Sequence, residues 1–381
     1  MRLYDTARRA VVPFEPGALV TLYSCGITPY DAAHLGHAEV YLTFDVLQRR
    51  LRDLGHEVRC VRNVTDVDDD ILRRSRELGV HYLDLAAEEM ARFDADMSAL
   101  GLLPVYSEPR ATSAIPDILS LIGVVLESGH AYRSAGAVYF DVTTFPGWGK
   151  LSHRSEQEML ELAAANGGNP DDPAKRHPLD FVLWQPSLPD EPSWESRWGP
   201  GRPGWHIECS ALAMRELGVT IDLHGGGRDL VFPHHECETA QSESVTGEPF
   251  VRHWLHVGLV GLGGEKMSKS LGNLVFVGDL LKDWEAPAIR LALLAHHYRQ
   301  DWQWTEGDMP AAAERLARWR AAPGAATATG PGIGAGGAGL EPVRARLDDD
   351  LDTPGALSAL DDLAAAGGPV DRAAALLGVE L

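Results

Sequence analysis

Two short segments of this chain place imidazoles and ammonium groups where they could manage the charge of a phosphate. His34 and His37 stand in His34-Leu35-Gly36-His37, between an apolar run (Ala18 to Tyr23) and a helix-like stretch (Ala38 to Leu54). That placement puts both rings and several backbone N–H groups at a helix N-terminus, where the helix dipole favours anions. Gly36 has no Cβ and lets a nucleotide approach the backbone. Lys266, Ser268 and Lys269 lie in Lys266-Met267-Ser268-Lys269-Ser270, behind Gly261, Gly263 and Gly264, a composition suited to a loop that closes over a bound triphosphate. A carboxylate attacking the α-phosphate of ATP builds negative charge on phosphate oxygens, and fixed donors and cations of this kind meet it. Taken singly, each segment reads equally well as capping or core histidines, or as a basic surface loop. In this order and at this separation, the pair points to ATP-dependent activation of a carboxylate.

A second constellation bears on which carboxylate. Cys25 ends the first strand-like run, Cys209 closes Gly204-Trp205-His206-Ile207-Glu208-Cys209, and His234 and Glu238 lie in Phe232-Pro233-His234-His235-Glu236-Cys237-Glu238. A helix after Pro233 would set His234 and Glu238 one turn apart on one face, able to share a metal with two cysteines brought in by the fold. Zinc held by thiolates and imidazole takes a substrate thiolate readily and a hydroxyl poorly, which would select cysteine over serine without a separate editing site. Spacing alone leaves open that these are buried structural residues. Asp66, Asp68, Asp69 and Asp70 read as helix capping and solvated charge rather than a second metal site.

The stretches Cys25 to Asp31, Asn63 to Asp69, Gly201 to Cys209, His224 to Leu230 and the Lys266 to Ser270 segment resemble the cysteinyl-tRNA synthetase family, from about Arg2 to Arg320. Within it the chain is most similar to the mycothiol-pathway branch, which joins cysteine to the amine of glucosaminyl-inositol. The wording Cys-Gly-Ile-Thr-Pro-Tyr-Asp, the insertion Gly167 to Pro173 and the ending Leu376 to Leu381 carry that likeness, whereas tRNA-charging members carry a longer anticodon-reading extension. Glu238, Gly149 to Ser152 and Asp180 to Trp184 look more like the synthetase than the ligase. The resemblance implies a Rossmann-like, doubly wound parallel α/β sheet with a connective insertion. It implies zinc on Cys25, Cys209, His234 and Glu238, with one ion per chain. Thr28, Thr65 and Trp205 would wall the cysteine pocket. Gly227 and Asp229 would form a ribose-contacting turn, and Val260 would present backbone to adenine. ATP would be the co-substrate with Mg²⁺, since phosphoryl charge needs a hard cation. The acceptor would be a small amine, glucosaminyl-inositol or another from a related pathway. The alternatives are tRNA charging and a catalytically idle binding paralogue.

Composition fits an intracellular enzyme. With 34 Lys and Arg against 55 Asp and Glu, the net charge of −21 opposes adhesion to a polyanion and tilts against tRNA as a partner. Four cysteines, two of them assigned to a metal, do not make a disulfide framework. No run approaches membrane length and the first residues lack a signal-like apolar stretch, so a cytoplasmic protein is expected, with a monomer favoured.

The positioning elements follow from periodicity. Apolar runs at Ala18 to Tyr23 and His56 to Val61 alternate with helix-like stretches at Ala38 to Leu54 and Asp68 to Leu78, a βαβ rhythm that predicts a parallel sheet. Residues 104–202 interrupt it as an insertion with a short sheet around Ala137 to Val142, and strands resume at Ile221 to Leu223 and Trp254 to Val260. The predicted domains are a catalytic domain over 1–320, an Ala/Gly linker over 321–339 and a small helical domain over 340–381.

Overall fold

The structure, a computed structural model, describes residues 1–267, 272–322 and 340–381. Ser268 and Lys269, the side chain of Lys266, and all but the first two positions of the expected linker lie outside the described residues.

A hairpin of β1 (Arg2–Asp5) and β2 (Ala10–Pro13) precedes the first half of the central sheet. That half is β3 (Leu19–Ile27), α1 (Leu35–Asp53) and β4 (Glu57–Val64), followed by α2 (Asp69–Leu78) and α3 (Tyr82–Ala99). The insertion holds α4 (Ile115–Glu127), β5 (Ala131–Ser134), β6 (Ala137–Phe140), α5 (Glu156–Ala165), β7 (Phe181–Gln185) and β8 (Arg202–Pro203). The second half is α6 (Trp205–Leu217), β9 (Leu223–Gly227), a π-helical turn at Val231–His235, α7 (Glu236–Thr246) and β10 (Trp254–Val257). Then come β11 (Val260–Leu262), β12 (Glu265–Lys266), α8 (Val277–Asp283), α9 (Ala286–Leu294), β13 (Trp302–Trp304) and α10 (Asp308–Arg320). Three helices close the chain: α11 (Leu340–Leu347), α12 (Thr353–Ala365) and α13 (Asp371–Leu376).

The central sheet runs β10-β9-β3-β4, every neighbour parallel. Its strands are buried on both faces, as parallel strands covered by crossover helices must be. The chain is an α/β protein of Rossmann-like type. Two boundaries differ from those expected. Ile221 makes only an isolated bridge to Val251, and the strand there runs Leu223–Gly227, glycines included. A glycine triplet reads as a turn in sequence, but here it lets two strands close up: a Cβ on Gly225 would lie 1.7 Å from the Leu255 carbonyl oxygen. The run expected from Trp254 to Val260 is two strands in different sheets, β11 pairing with β12 and β13 instead. The short sheet expected near Ala137 is one strand of a four-stranded antiparallel sheet, β5-β6-β7-β8.

The C-terminal helices share the core of the sheet. Val343, Leu347, Leu357 and Leu377 belong to the same buried cluster as Leu42 of α1 and Leu291 of α9. Ion pairs add to the seam, with Arg344 on Asp53 (2.6 Å) and Arg50 on Asp348 (2.7 Å). Among the described residues, no helix is long and apolar enough to cross a membrane.

Candidate active site

β3 is flanked by β4 on one side and β9 on the other, so the sheet order reverses beside it. At such a switch point the loops leave in opposite directions and open a crevice outside the carboxyl ends of the strands. A cleft of about 740 Å³ lies there, lined by Cys25 from the end of β3, Gly227 from the end of β9, Val260, His34 and His37.

His34 is the N-cap of α1 and its Nδ1 accepts the Gly36 N–H at 3.1 Å. The His34 and His37 rings stack with centroids 3.9 Å apart, so both imidazoles stand at the start of the helix. Gly36 serves this cap directly, since a Cβ there would come within 2.9 Å of the His34 ring. The expected set of open N–H groups is therefore smaller by one. The polypeptide returning from the lysine segment reaches the same place: Leu35 N donates to Val275 O (2.9 Å), and His34 bridges Phe276. On the other side Met267 N donates to Val260 O at 3.0 Å, while the Lys266 backbone pairs with Gly261. Met267 and Val275, on either side of residues 268–271, are thus bonded beside Val260 and beside the histidines respectively.

Cys25, which lines the cleft, belongs to a buried cluster: one donor atom each from Cys25, Cys209, His234 and Glu238 lie within 4.8 Å of one another. Cys209 comes from the second turn of α6, His234 from the π-helical turn and Glu238 from the first turn of α7. His234 Nε2 is 2.9 Å from Glu238 Oε1, the one-turn relation expected after Pro233. Surrounding groups fix these side chains. His206 Nδ1 meets His234 Nδ1 at 2.9 Å, Trp205 stacks on the His234 ring at 4.3 Å, and His224 Nε2 holds Glu238 Oε2 at 3.0 Å. Cys25 Sγ lies 3.2 Å from His235 Nε2, whose Nδ1 meets His256 Nε2 at 2.7 Å.

The electrostatics are those of donors crowded together. Burial pushes the Cys25 thiol well up, and the neighbouring Cys209 and Glu238 push the same way. Cys209 is brought down to about 6, first by its hydrogen bond with Cys25 and, against burial, by His234. Burial works against ionisation of His234 and Glu238, but their mutual attraction, helped by Cys209 and His224, carries His234 up to about 10 and Glu238 down to about 2. Two sulfurs, an imidazole and a carboxylate packed this closely are a four-donor set, and its chemistry fits a divalent, thiophilic cation. A second grouping of Cys25, His224, His235 and Glu238 shares two of these residues.

Around the cluster, Thr65 is buried and its hydroxyl accepts from Asn63 Nδ2 at 3.1 Å. Thr28 Oγ1 donates to Asp68 Oδ2 at 3.0 Å. Thr28, Thr65 and Trp205 are not among the residues lining the cleft itself. Asp229 lines the cleft just past β9, where a Cβ on Gly227 would lie 2.5 Å from its Oδ1. Asp68 is a cap as expected, accepting the Ile71 N–H at 2.9 Å, and burial pushes its carboxyl up to about 6. The histidines at 206, 224, 235 and 256 escape a reading of the sequence. His206, His224 and His235 lie inside recognised motifs, but no spacing rule links them, or His256, to the cluster.

A family model described as the class I (C) tRNA synthetase catalytic domain matches residues 11–314. The chain belongs to this family. Among class I relatives, a protein of Streptosporangium roseum named L-cysteine:1D-myo-inositol 2-amino-2-deoxy-alpha-D-glucopyranoside ligase is 49% identical, covering 100% of this chain and 96% of its own length. A protein of the same name from Parafrankia sp. is 52% identical over 96% of this chain and 82% of its own length. The structure of Mycobacterium tuberculosis methionyl-tRNA synthetase in complex with methionyl-adenylate superposes with a TM-score of 0.66. It covers 91% of this chain and 82% of its own at 17% identity, a likeness of fold. In the class I frame, the cleft at the switch point and the histidine-capped α1 stand where the fold opens toward ligand.

Proposed function

We propose that this chain is an AMP-forming ligase that activates L-cysteine with ATP and passes the cysteinyl group to the amine of an amino sugar linked to inositol. The observation that carries the reading is near-half identity, over essentially the whole chain, to relatives named for that reaction. The four-donor cluster supports cysteine as the activated acid.

Zinc held by Cys25, Cys209, His234 and Glu238 would supply a thiophilic anchor that prefers a substrate thiol to a hydroxyl. Thr28, Thr65 and Trp205, the last stacked on His234, would orient the amino-acid backbone. His34 and His37, fixed by their cap and stacking, would face the phosphates of MgATP together with Lys266, Ser268 and Lys269, while Gly36, Gly227, Asp229 and Val260 would frame the nucleoside. A carboxylate oxygen of cysteine attacks the α-phosphorus, forming the O–P bond as the bond to pyrophosphate breaks. The acceptor nitrogen then attacks the acyl carbon, a C–N bond forms, the C–O bond to AMP breaks, and the amine proton is released. The histidines and lysines act where charge grows in the first step, which is where fixed donors accelerate most.

The test separates the steps. Cysteine-dependent exchange of pyrophosphate into ATP should proceed without acceptor, and glucosaminyl-inositol should then trigger AMP release with amide formation. Serine driving exchange as well as cysteine would refute the role given to the metal cluster. Charging of tRNA at physiological salt, with no turnover of the amino sugar, would move the acceptor to tRNA.

A further inference from the structure

We propose that the exposed face of α2 is the acceptor-binding wall of this cleft, built to hold a polyhydroxylated amine through its hydroxyl groups. This rests on the acceptor reading above and assigns residues to it. α2 contributes Asp70, Arg73, Arg74 and Glu77 to the lining of the same cleft as His34, His37 and Asp229. The four positions are spaced i, i+3, i+4 and i+7, a single stripe along the helix. On a helix packed by one face alone, the stripe opposite the core is free to be anything polar, and here it is charged at every position. The apolar side, Ile71 and Leu72, is buried against Leu85 and Ala86 of α3 with Tyr30 and Tyr82 beside them.

Stability does not explain the stripe. Arg73 meets Asp70 at 2.7 Å and Arg74 meets Glu77 at 3.1 Å, and all four side chains are between 42% and 61% exposed. Exposed pairs of this kind contribute roughly 0.2–1 kcal/mol each. The helix has other anchors: the Asp68 cap, an ion pair from Asp69 to the buried Arg202, and Arg76 on Glu191 at 3.0 Å. Each stripe pair commits one guanidinium nitrogen of its arginine, which leaves the remaining donors and carboxylate oxygens on the cleft side for a ligand.

The chemistry of the stripe selects its guest. A sugar or cyclitol ring offers hydroxyls that both donate and accept, and alternating carboxylates and guanidiniums satisfy both roles along one line. Two anions and two cations leave the stripe neutral overall, and Asp31 adds a carboxylate to the lining near its start. That balance suits a neutral polyol carrying one ammonium group. It does not form the unbroken cationic track that a phosphodiester backbone requires. The helix cap, Asp68, accepts from Thr28, one of the residues proposed above to wall the cysteine pocket. A polyol held along α2 would therefore extend outward from the activated carboxyl.

The test uses two charge-neutral double variants, Asp70→Asn with Arg73→Gln and Arg74→Gln with Glu77→Gln, each in the full chain. Three readouts are compared: acceptor-free pyrophosphate exchange, trapping of cysteinyl-AMP by hydroxylamine, and amide formation with glucosaminyl-inositol. The KM for glucosaminyl-inositol should rise by about tenfold or more, because a site built to hydrogen-bond hydroxyls loses that much with its polar groups. Exchange and hydroxamate formation should stay within about twofold, since neither needs the polyol. An unchanged KM, or a parallel fall of all three readouts, would overturn the assignment. If the unaltered chain exchanges pyrophosphate and yields hydroxamate but ignores glucosaminyl-inositol, the polyol wall falls with its acceptor while cysteine activation stands. Absence of exchange in the unaltered chain would instead refute the activation reading itself.

Discussion

Glu39 offers a measurable consequence of how α1 is buried. It lies five residues past His34, is 4% exposed, and its Oε2 has no hydrogen-bond partner among the described residues. Burial alone raises its carboxyl from 4.5 to about 8. Between those values the native state holds a proton that the unfolded chain has released. Stability therefore falls as pH rises through the window: the contribution is full below 4.5 and is lost on passing 8. From pH 6 to pH 8 the unfolded side chain is ionised throughout, while the native one goes from protonated to half ionised. At about 1.4 kcal/mol per pH unit, less the part already ionised, the loss is about 2 kcal/mol. Glu39→Gln keeps the shape of the protonated acid and removes the titration. Denaturant unfolding of both proteins at pH 6 and pH 8 should show the unaltered chain losing about 2 kcal/mol more than the variant. Parallel losses in the two proteins would mean that Glu39 is already ionised at pH 6 and has a partner or water that offsets burial.

The remaining predictions concern the metal, the lysines and the C-terminal seam. The purified protein should hold close to one zinc per chain, and Cys209→Ala should weaken zinc by at least about 100-fold with cysteine affinity falling alongside, as seen by metal analysis and binding. Because thiolate and neutral imidazole are the binding forms, zinc content should also drop on acidification. Lys269→Ala should slow cysteine-dependent exchange by roughly 10²–10³ while leaving cysteine binding nearly intact, the pattern of a group acting on transition-state charge. Asp45→Ala should cost about 3–5 kcal/mol in unfolding experiments, because it strands a buried guanidinium. That guanidinium, Arg290, is fully buried, pairs with Asp45 and also donates to Leu100 O at 3.1 Å.

What can be read from the sequence is what local chemistry determines. The strand, glycine and helix around His34 to His37 announce themselves because a cap, a close approach and an amphipathic run occupy adjacent positions. The pairing of His234 with Glu238 follows from helical period once Pro233 starts the turn. The strand at Leu223–Gly227 is displaced from its expected place, since its glycines are set by contact with β10, a partner about 30 residues away whose closeness no window of sequence contains. The roles of the buried histidines at 224 and 256 stay hidden for the same reason: each is a residue on a strand until the sheet lays it against Glu238 or His235. The acidic run at 66–70 reads as capping, which holds for Asp68. Extended by two turns to Arg73, Arg74 and Glu77, the same segment becomes a charged face on a cleft, and that face is visible in the spacing once the helix has something to look at.

The polypeptide on either side of residues 268–271 is bonded next to His34 and Val260, and that bears on the proposed first half-reaction. His34 caps α1 with its ring while its backbone bridges Phe276, and the residues on either side of it, Ala33 and Leu35, bond Val277 and Val275. The polypeptide that follows the lysines is thus laced to the very residue that caps the motif helix. On the other flank, Met267 is bonded to Val260, which lines the cleft. Loosening the first anchor should therefore displace His34 relative to Val260 and leave the four-donor cluster untouched. A proline at Val275 would keep its carbonyl bond to Leu35 N, so the sharper variant is Val277→Pro, which removes the N–H that bonds Ala33 O at 3.1 Å. Val277 is the first residue of α8, where proline is tolerated, so the helix itself should survive. Pyrophosphate exchange should fall by about tenfold or more with that variant, as expected when positioning of reacting groups is loosened, while zinc content stays at the unaltered level. Unchanged exchange would show that the lacing holds the fold together without coupling the two segments.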